Sequence, residues 1–97
     1  MKKYRVGFTA GTFDMFHVGH LNLLKSAKAQ CEHLIVGVNR DSLVKIYKKK
    51  EPLIDENQRL EIVKNIRHVD EVYLMDTLDK RSAWNMFNFD VVFIGSD

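Results

Sequence analysis

The segment spanning residues 6–20 constrains the fold more than any other part of the chain. An apolar run with strand character ends at Gly11, and a helical pattern that places Leu21 and Leu24 on one side begins near Val18. A strand, a tight loop and a helix in this order direct the free N–H groups and the positive dipole end of the helix at one point. The segment therefore predicts a site for an anion, above all a phosphate.

Two glycines and two histidines in this loop suit phosphate chemistry. Gly11 and Gly19 lack a β-carbon, so a ligand can approach the backbone closely. His17 and His20 are three residues apart and point the same way if the first helical turn includes both. Two imidazoles beside a helix N-terminus are good donors to a phosphate that gains negative charge during a reaction. A zinc site that uses Asp14 as well is the alternative, but its spacing is awkward and it lacks a fourth ligand.

Length and composition restrict the class of protein. We interpret residues 1–97 as a single small domain. A net charge of +2 gives no indication of a nucleic-acid partner, and no apolar run approaches transmembrane length. The single cysteine, Cys31, excludes an internal disulfide framework and fits a reducing compartment. We expect a cytoplasmic protein that binds neither nucleic acid nor membrane.

Strands and helices are expected to alternate at short intervals along the chain. The patterns predict strands at residues 5–10, 34–38, 72–75 and 91–94, helices at 18–30, 56–67 and 81–88, and a short helical turn from Asp41 to Tyr47. This order indicates the α/β class, with a Rossmann-like parallel sheet and helices on both faces. Ligands bind such sheets where the strand order reverses, so residues 11–20 and 95–97 should face each other across a crevice.

A basic segment at residues 40–51 follows the second strand and contains Lys48, Lys49 and Lys50. A solvated loop is the general interpretation of such a run. Only Tyr47 adds an aromatic ring, which argues against a nucleic-acid interface. A basic flap over the phosphate site is better supported.

Three stretches resemble one family of enzymes. Residues 11–20, GTFDMFHVGH, resemble the GTFDxxHxGH signature of the cytidylyltransferase branch of the nucleotidyltransferase superfamily, most nearly the glycerol-3-phosphate cytidylyltransferases. Residues 56–59, ENQR, and 66–72, IRHVDEV, resemble the ENxR and IRxVDEV segments of the same family. Family members continue with a fifth strand and a Ser/Thr-rich motif, so residues 1–97 resemble a family domain whose C-terminal portion is absent.

The resemblance implies a reaction. The chain would transfer CMP from CTP to a small phosphate monoester, with glycerol 3-phosphate favoured, and release pyrophosphate. The acceptor phosphate is already a nucleophile, so the protein has to position it and stabilise charge. Mg²⁺ is expected with CTP, although no dedicated protein ligands for it are evident. A homodimer is expected as well.

The resemblance also assigns roles to residues. The catalytic residues would be His17, His20 and Lys50. The nucleotide-binding residues would be Gly11, Thr12, Phe13 (through backbone and ring), Asp14, His17, Gly19, His20 and Lys50. The substrate-binding residues would be Lys48, Lys80, Arg81 and Arg59, the last of which has an inward-facing structural role as its alternative. No protein residue is assigned as a metal ligand, although Asp14 could hold either the loop or a metal.

Three other functions remain open from the sequence. The first is an ATP-dependent adenylyltransferase for a sugar phosphate, which has nearly the same HxGH motif. Met15 and Phe16, in place of an Asp-Pro pair, favour the cytidylyl branch over it. The second is a cytidylyltransferase for phosphocholine or phosphoethanolamine. The third is a truncated, non-catalytic module for nucleotide binding or dimerisation.

Overall fold

A four-stranded parallel sheet organises the protein, whose computed structural model describes residues 2–95. Its elements are, in chain order, β1 (Tyr4–Gly11), α1 (Val18–Gln30), β2 (Cys31–Asn39), α2 (Asp41–Lys48), α3 (Glu56–Lys64), β3 (Glu71–Met75), α4 (Lys80–Phe87) and β4 (Val91–Val92). The spatial order is β3-β2-β1-β4, and each neighbouring pair is parallel. This arrangement confirms the α/β, Rossmann-like class.

The strand order reverses between β1 and β4. The chain adds β2 and β3 on one side of β1 and then returns to place β4 on the other side, with Gly7 opposite Val91 and Phe8 opposite Val92. A crevice forms above such a reversal because the connections leave the two strands in opposite directions. The prediction that the first and fourth strands flank the crevice is confirmed.

Helices cover both faces of the sheet because β2 is apolar on both sides. Alternate side chains of a strand point to opposite faces, and a strand buried on both faces reads as a continuous apolar run. The core on one face contains, from β2, α1 and α3, Leu34, Val36, Val38, Leu24, Ala27 and Val63. The core on the other face contains Phe8, Ile35, Met75 and, from α4, Ala83.

The ends of several elements differ from the sequence prediction. The helix expected to continue to residue 67 ends at Lys64, because Asn65 leaves helical geometry and two successive turns follow, through Ile66 N–H to Val63 O and Val69 N–H to Ile66 O. β4 has two residues rather than four, although Phe93 N–H still donates to β1 at 2.8 Å. The expected helical turn is a full helix of eight residues, α2.

The helical pattern of residues 81–88 predicts Ala83, Trp84 and Phe87 on the inward side, with a dimer surface as the alternative for Trp84, but Trp84 does not point into the core. Its side chain is 50% exposed, whereas Ala83 is buried. Successive residues of an α-helix are about 100° apart around the axis, whereas residues four apart share a face. Ala83 and Phe87 therefore face the sheet, and Trp84 is turned towards solvent.

The helices of the described chain are short. The longest, α1, has 13 residues. Crossing a bilayer takes about 20 apolar residues. No helix within residues 2–95 has the length and apolar character for this.

Candidate active site

The first turn of α1 holds two histidines in a reciprocal cap. His17 is the N-cap residue, and its Nδ1 accepts the Gly19 N–H at 3.0 Å. The Nδ1 of His20 accepts the His17 N–H at 3.1 Å. Because both Nδ1 atoms accept, a neutral imidazole at either position carries its proton on Nε2. The two ring centroids are 4.0 Å apart, so two Nε2 donors lie side by side at the helix N-terminus.

Gly19 is required by the position of the His17 ring. A Cβ atom at Gly19 would lie 2.7 Å from Cε1 and 3.0 Å from Nδ1 of His17. Contacts this short would displace the imidazole. The glycine predicted to admit a ligand thus also makes room for a site side chain.

The loop before α1 contains two residues in the left-handed region, Phe13 at φ 55° and Met15 at φ 51°. Each such residue costs roughly 1 to 3 kcal/mol and persists only where its surroundings enforce it. The Phe13 ring, 2% exposed, is held in the core beside the rings of Phe16 and His20. The predicted nucleotide contact through the Phe13 ring is therefore wrong, because core packing occupies this ring.

A crevice of about 730 Å³ opens above β1 and β4, a size typical of small-molecule sites. Of the residues with predicted roles, it is lined by Thr12, Asp14, His17, Gly19, His20 and Lys48. Gly95 also lines it, as predicted, whereas Ser96 and Asp97 lie outside the described residues. Gly11 is buried at the end of β1 and does not line the crevice.

One face of α1 adds lining residues that lacked a prediction, Asn22, Leu23 and Ser26, and Ile94 adds another after β4. Leu23 and Ser26 follow Gly19 by four and seven residues, which is the spacing of one helical face. These lining residues could therefore have been identified from the sequence by following the helical period from Gly19 along α1.

The structure separates the lysines that the sequence groups together. Lys48 ends α2 and lines the crevice, whereas Lys49 adopts the left-handed conformation at φ 58° and turns the chain away. Lys50 is exposed and does not line the crevice. Lys80 and Arg81, at the start of α4, are exposed and do not line it either. Of the five cations expected beside the ligands, which include Arg59, only Lys48 lines the crevice in the described part of the chain.

Arg59 is buried beneath the site and does not contact the crevice. Its side chain is 0% exposed. Its guanidinium donates to a carboxylate and three backbone carbonyl oxygens: Asp41 Oδ1 at 2.6 Å, Thr12 O at 2.7 Å, and Asn39 O and Ile54 O at 2.8 Å. The expected substrate contact is corrected, because a group this enclosed cannot reach a ligand, and the inward-facing structural alternative holds.

Asp14 ties the loop between β1 and α1 to the segment before α3. Its carboxylate accepts the N–H groups of Leu53 at 2.8 Å and Ile54 at 2.9 Å. Burial opposes its ionisation, but these two N–H donors and the nearby Arg59 outweigh it and hold the pKa of Asp14 below its usual value. Of the two roles predicted for Asp14, the structure shows it holding the loop.

The residues present do not form a cage for a resident metal. Within residues 2–95, no three His, Cys, Asp or Glu side chains are grouped so that they could ligate an ion. Asp14 is the carboxylate at the crevice, and two N–H groups already occupy it. Neither the zinc alternative nor a protein-held magnesium ion fits this arrangement.

The fold and the crevice define an α/β domain of the nucleotidyltransferase type. The chain belongs to the cytidylyltransferase-like family, whose profile matches residues 8–97. It is 40% identical over 98 residues to an FAD synthase of Thermococcus kodakarensis, and this alignment covers 99% of the chain and 64% of the FAD synthase. It is 36% identical over 94 residues to the bifunctional protein HldE of Hyphomonas neptunium, and this alignment covers 96% of the chain and 19% of HldE.

A solved structure has the same architecture. The lipopolysaccharide core biosynthesis protein from Thermoplasma volcanium superimposes with a TM-score of 0.84 at 30% identity, covering 92% of this chain and 72% of that one. The chain spans less than two-thirds of the length of the FAD synthase and about a fifth of HldE.

Proposed function

We propose that the chain transfers a nucleotidyl group from a nucleoside triphosphate to a phosphate monoester and releases pyrophosphate. The observation that carries the proposal is the pair of imidazoles, 4.0 Å apart at the N-terminus of α1, in a crevice that Lys48 also lines. A helix N-terminus, two Nε2 donors and an ammonium group together make a site for a polyphosphate.

The reaction is a direct displacement. An oxygen of the acceptor monoester attacks the α-phosphorus, the bond from that phosphorus to the bridging oxygen breaks, and pyrophosphate leaves with the electron pair. The acceptor is anionic at neutral pH, so no side chain has to remove a proton. His17 and His20 would donate to the oxygens that gain charge, and Lys48 would balance charge on the acceptor phosphate or pyrophosphate. Mg²⁺ would enter as part of the triphosphate substrate.

Two pairs of substrates have specific support. Met15 and Phe16, with the ENxR and VDEV segments, favour CTP and glycerol 3-phosphate. The FAD synthase relative favours ATP and flavin mononucleotide, because FAD is AMP joined to the phosphate of that flavin. A sugar phosphate, phosphocholine and phosphoethanolamine are the remaining acceptors to compare.

Pyrophosphate release tests the proposal. The protein is incubated with magnesium, CTP or ATP, and each acceptor in turn, and the His20→Ala variant is the matched control. Release with one triphosphate and one acceptor, abolished in His20→Ala, is the expected result. If no pair of substrates releases pyrophosphate but CTP or ATP still raises the melting temperature, the catalytic proposal is contradicted. The chain is then better described as a non-catalytic nucleotide-binding module.

The homodimer expected from the family resemblance stays a prediction. Light scattering on the eluting protein measures the mass directly. A mass close to that of two chains of 11.3 kDa would support a dimer, and a mass close to one would contradict it.

A further inference from the structure

We propose that Tyr47 is a positioning residue, whose hydroxyl ties the end of α2 to the phosphate-binding loop and thereby holds Lys48 over the crevice. The hydroxyl lies 2.5 Å from Thr12 Oγ1 and accepts from Asn39 Nδ2 at 3.1 Å. The inference rests on the nucleotidyl transfer proposed above. It concerns a residue for which neither the motifs nor the predicted site has a role.

The hydroxyl of Tyr47 joins three separate segments. Thr12 follows β1, Asn39 ends β2, and Tyr47 lies in the last turn of α2. Asn39 is buried, and its Oδ1 atom has no hydrogen-bond partner in the structure, so its side-chain amide is anchored to Tyr47 through Nδ2. Because Asn39 donates to the Tyr47 oxygen, the Tyr47 proton is available to Thr12 Oγ1.

Tyr47 acts from behind the crevice. Thr12 and Lys48 both line the crevice, whereas Tyr47, partly buried between them, does not. Its hydroxyl therefore influences a ligand through its neighbours. The Lys48 ammonium lies 5.9 Å from the centre of the Tyr47 ring, so the ring also provides a weak electrostatic support for that charge.

The end of α2 needs an anchor of this kind. At the start of the helix, Asp41 is fixed by the buried Arg59. At the other end, Lys49 turns the chain out of the helix. A helix end with exposed hydrogen bonds opens readily unless a side chain holds it. The Tyr47 hydroxyl connects this end to Thr12, within the loop that the histidines follow.

Hydrogen exchange on the free protein is the first test, since it needs no ligand. Loss of the Tyr47 contacts should raise the exchange rate of the amides in the last turn of α2 about tenfold in Tyr47→Phe. Tyr73→Phe is the matched control, because Tyr73 donates to Glu71 on β3 and does not line the crevice. Equal exchange in wild type and Tyr47→Phe would overturn the proposal.

A double-mutant cycle with Lys48→Ala tests the functional part. In the wild-type background, and at a temperature at which both proteins are folded, Tyr47→Phe should lower kcat/KM for pyrophosphate release about tenfold. In the Lys48→Ala background, the same change should cost less than about twofold, because the positioned group is gone. A tenfold loss in both backgrounds would show that Tyr47 does not act through Lys48.

A protein without turnover is tested by binding. If wild type releases no pyrophosphate with any pair of substrates, the proposed reaction fails, and the cycle is measured on the dissociation constant of sodium tripolyphosphate. The positioning role would be supported if Tyr47→Phe weakens binding in the wild-type background but has no further effect in the Lys48→Ala background. Equal binding by wild type and Tyr47→Phe, or no binding by wild type, would overturn it, whatever the exchange data show.

Discussion

His20 accepts the backbone N–H of His17 through Nδ1 at 3.1 Å, so the two histidines of the crevice hold the same helical turn. Each ring accepts a backbone N–H of this turn through Nδ1, whereas the proposed mechanism uses Nε2. Capping and the proposed catalytic role can therefore be separated by substitution, because they depend on different atoms of the same side chain.

Replacing His17 by Asn and by Ala should separate these two roles. Both variants lose the Nε2 donor, so kcat should fall by about 100-fold or more in each. The Asn side chain also caps helices, whereas Ala does not, so His17→Ala should lose about 1 kcal/mol of unfolding free energy and His17→Asn much less. Pyrophosphate release and urea unfolding measure the two effects. Near-wild-type turnover in His17→Asn would remove this imidazole from the mechanism.

Gly19→Ala should reduce activity without destabilising the protein. The added methyl group would lie 2.7 Å from the His17 ring, so we expect at least a tenfold fall in kcat. Alanine is favoured over glycine in a helix by about 1 kcal/mol, which offsets the displacement of the cap. Lys25→Ala, at an exposed position of the same helix, is the control and should keep full activity. Full activity in Gly19→Ala would mean that the ring position is not critical.

The contribution of Asp14 to stability should depend on pH. The folded state holds the pKa of Asp14 below its ordinary value of 3.8, with burial opposing and the Leu53 and Ile54 N–H groups favouring the ionised form. The stabilisation is therefore fully present above pH 3.8 and is lost as the pH falls through the lower, folded value. Urea unfolding should give Asp14→Asn a free energy of unfolding about 1 to 2 kcal/mol lower than that of wild type at pH 7. This difference should become smaller in acid. A difference that is constant down to pH 2 would contradict this.

Arg59→Met should destabilise the fold severely. The change leaves the partly exposed Asp41 carboxylate and three backbone carbonyls without their donor, and each buried acceptor left unpaired costs about 1 to 3 kcal/mol. Arg67→Met removes an exposed arginine just beyond the same helix and should change the unfolding free energy by less than about 0.5 kcal/mol. Similar unfolding curves for the two variants would show that Arg59 is not a structural centre.

The Cys31 thiol should be unreactive in the folded protein. Burial raises the pKa of Cys31, and its side chain is completely enclosed. A disulfide reagent requires the exposed thiolate, so labelling at pH 8 should be about 100-fold or more slower in native protein than in urea. Immediate labelling of native protein would show that the core around α1 and β2 opens readily.

The sequence predicted the elements that local patterns determine. The helix from residue 18 to residue 30 and the crevice between β1 and β4 follow from apolar periodicity and from the order of strands and helices, and both are confirmed. The order of residue types alone places the histidines at the start of that helix. Local sequence was sufficient there because a helix and its cap are built within a few residues.

The local sequence patterns could not predict contacts between distant segments of the chain. The partners of Arg59 come from three segments, and Tyr47 meets Thr12 across 35 residues of chain. The resemblance placed both Lys48 and Lys50 at the ligands by counting residues along the chain. Such a count does not show that α2 ends at Lys48 or that Lys49 is left-handed, which separates Lys50 from the crevice.

The two sides of the crevice come from opposite ends of the described chain. The Thr9 hydroxyl donates to Phe93 O at 2.8 Å, across a separation of 84 residues. Contacts of such long range form slowly, because closing the intervening loop costs conformational entropy. On a ribosome, β1, α1 and β2 can associate while the rest is still being synthesised. The crevice is incomplete until β4 and the residues after it have emerged, because Ile94 and Gly95 line it.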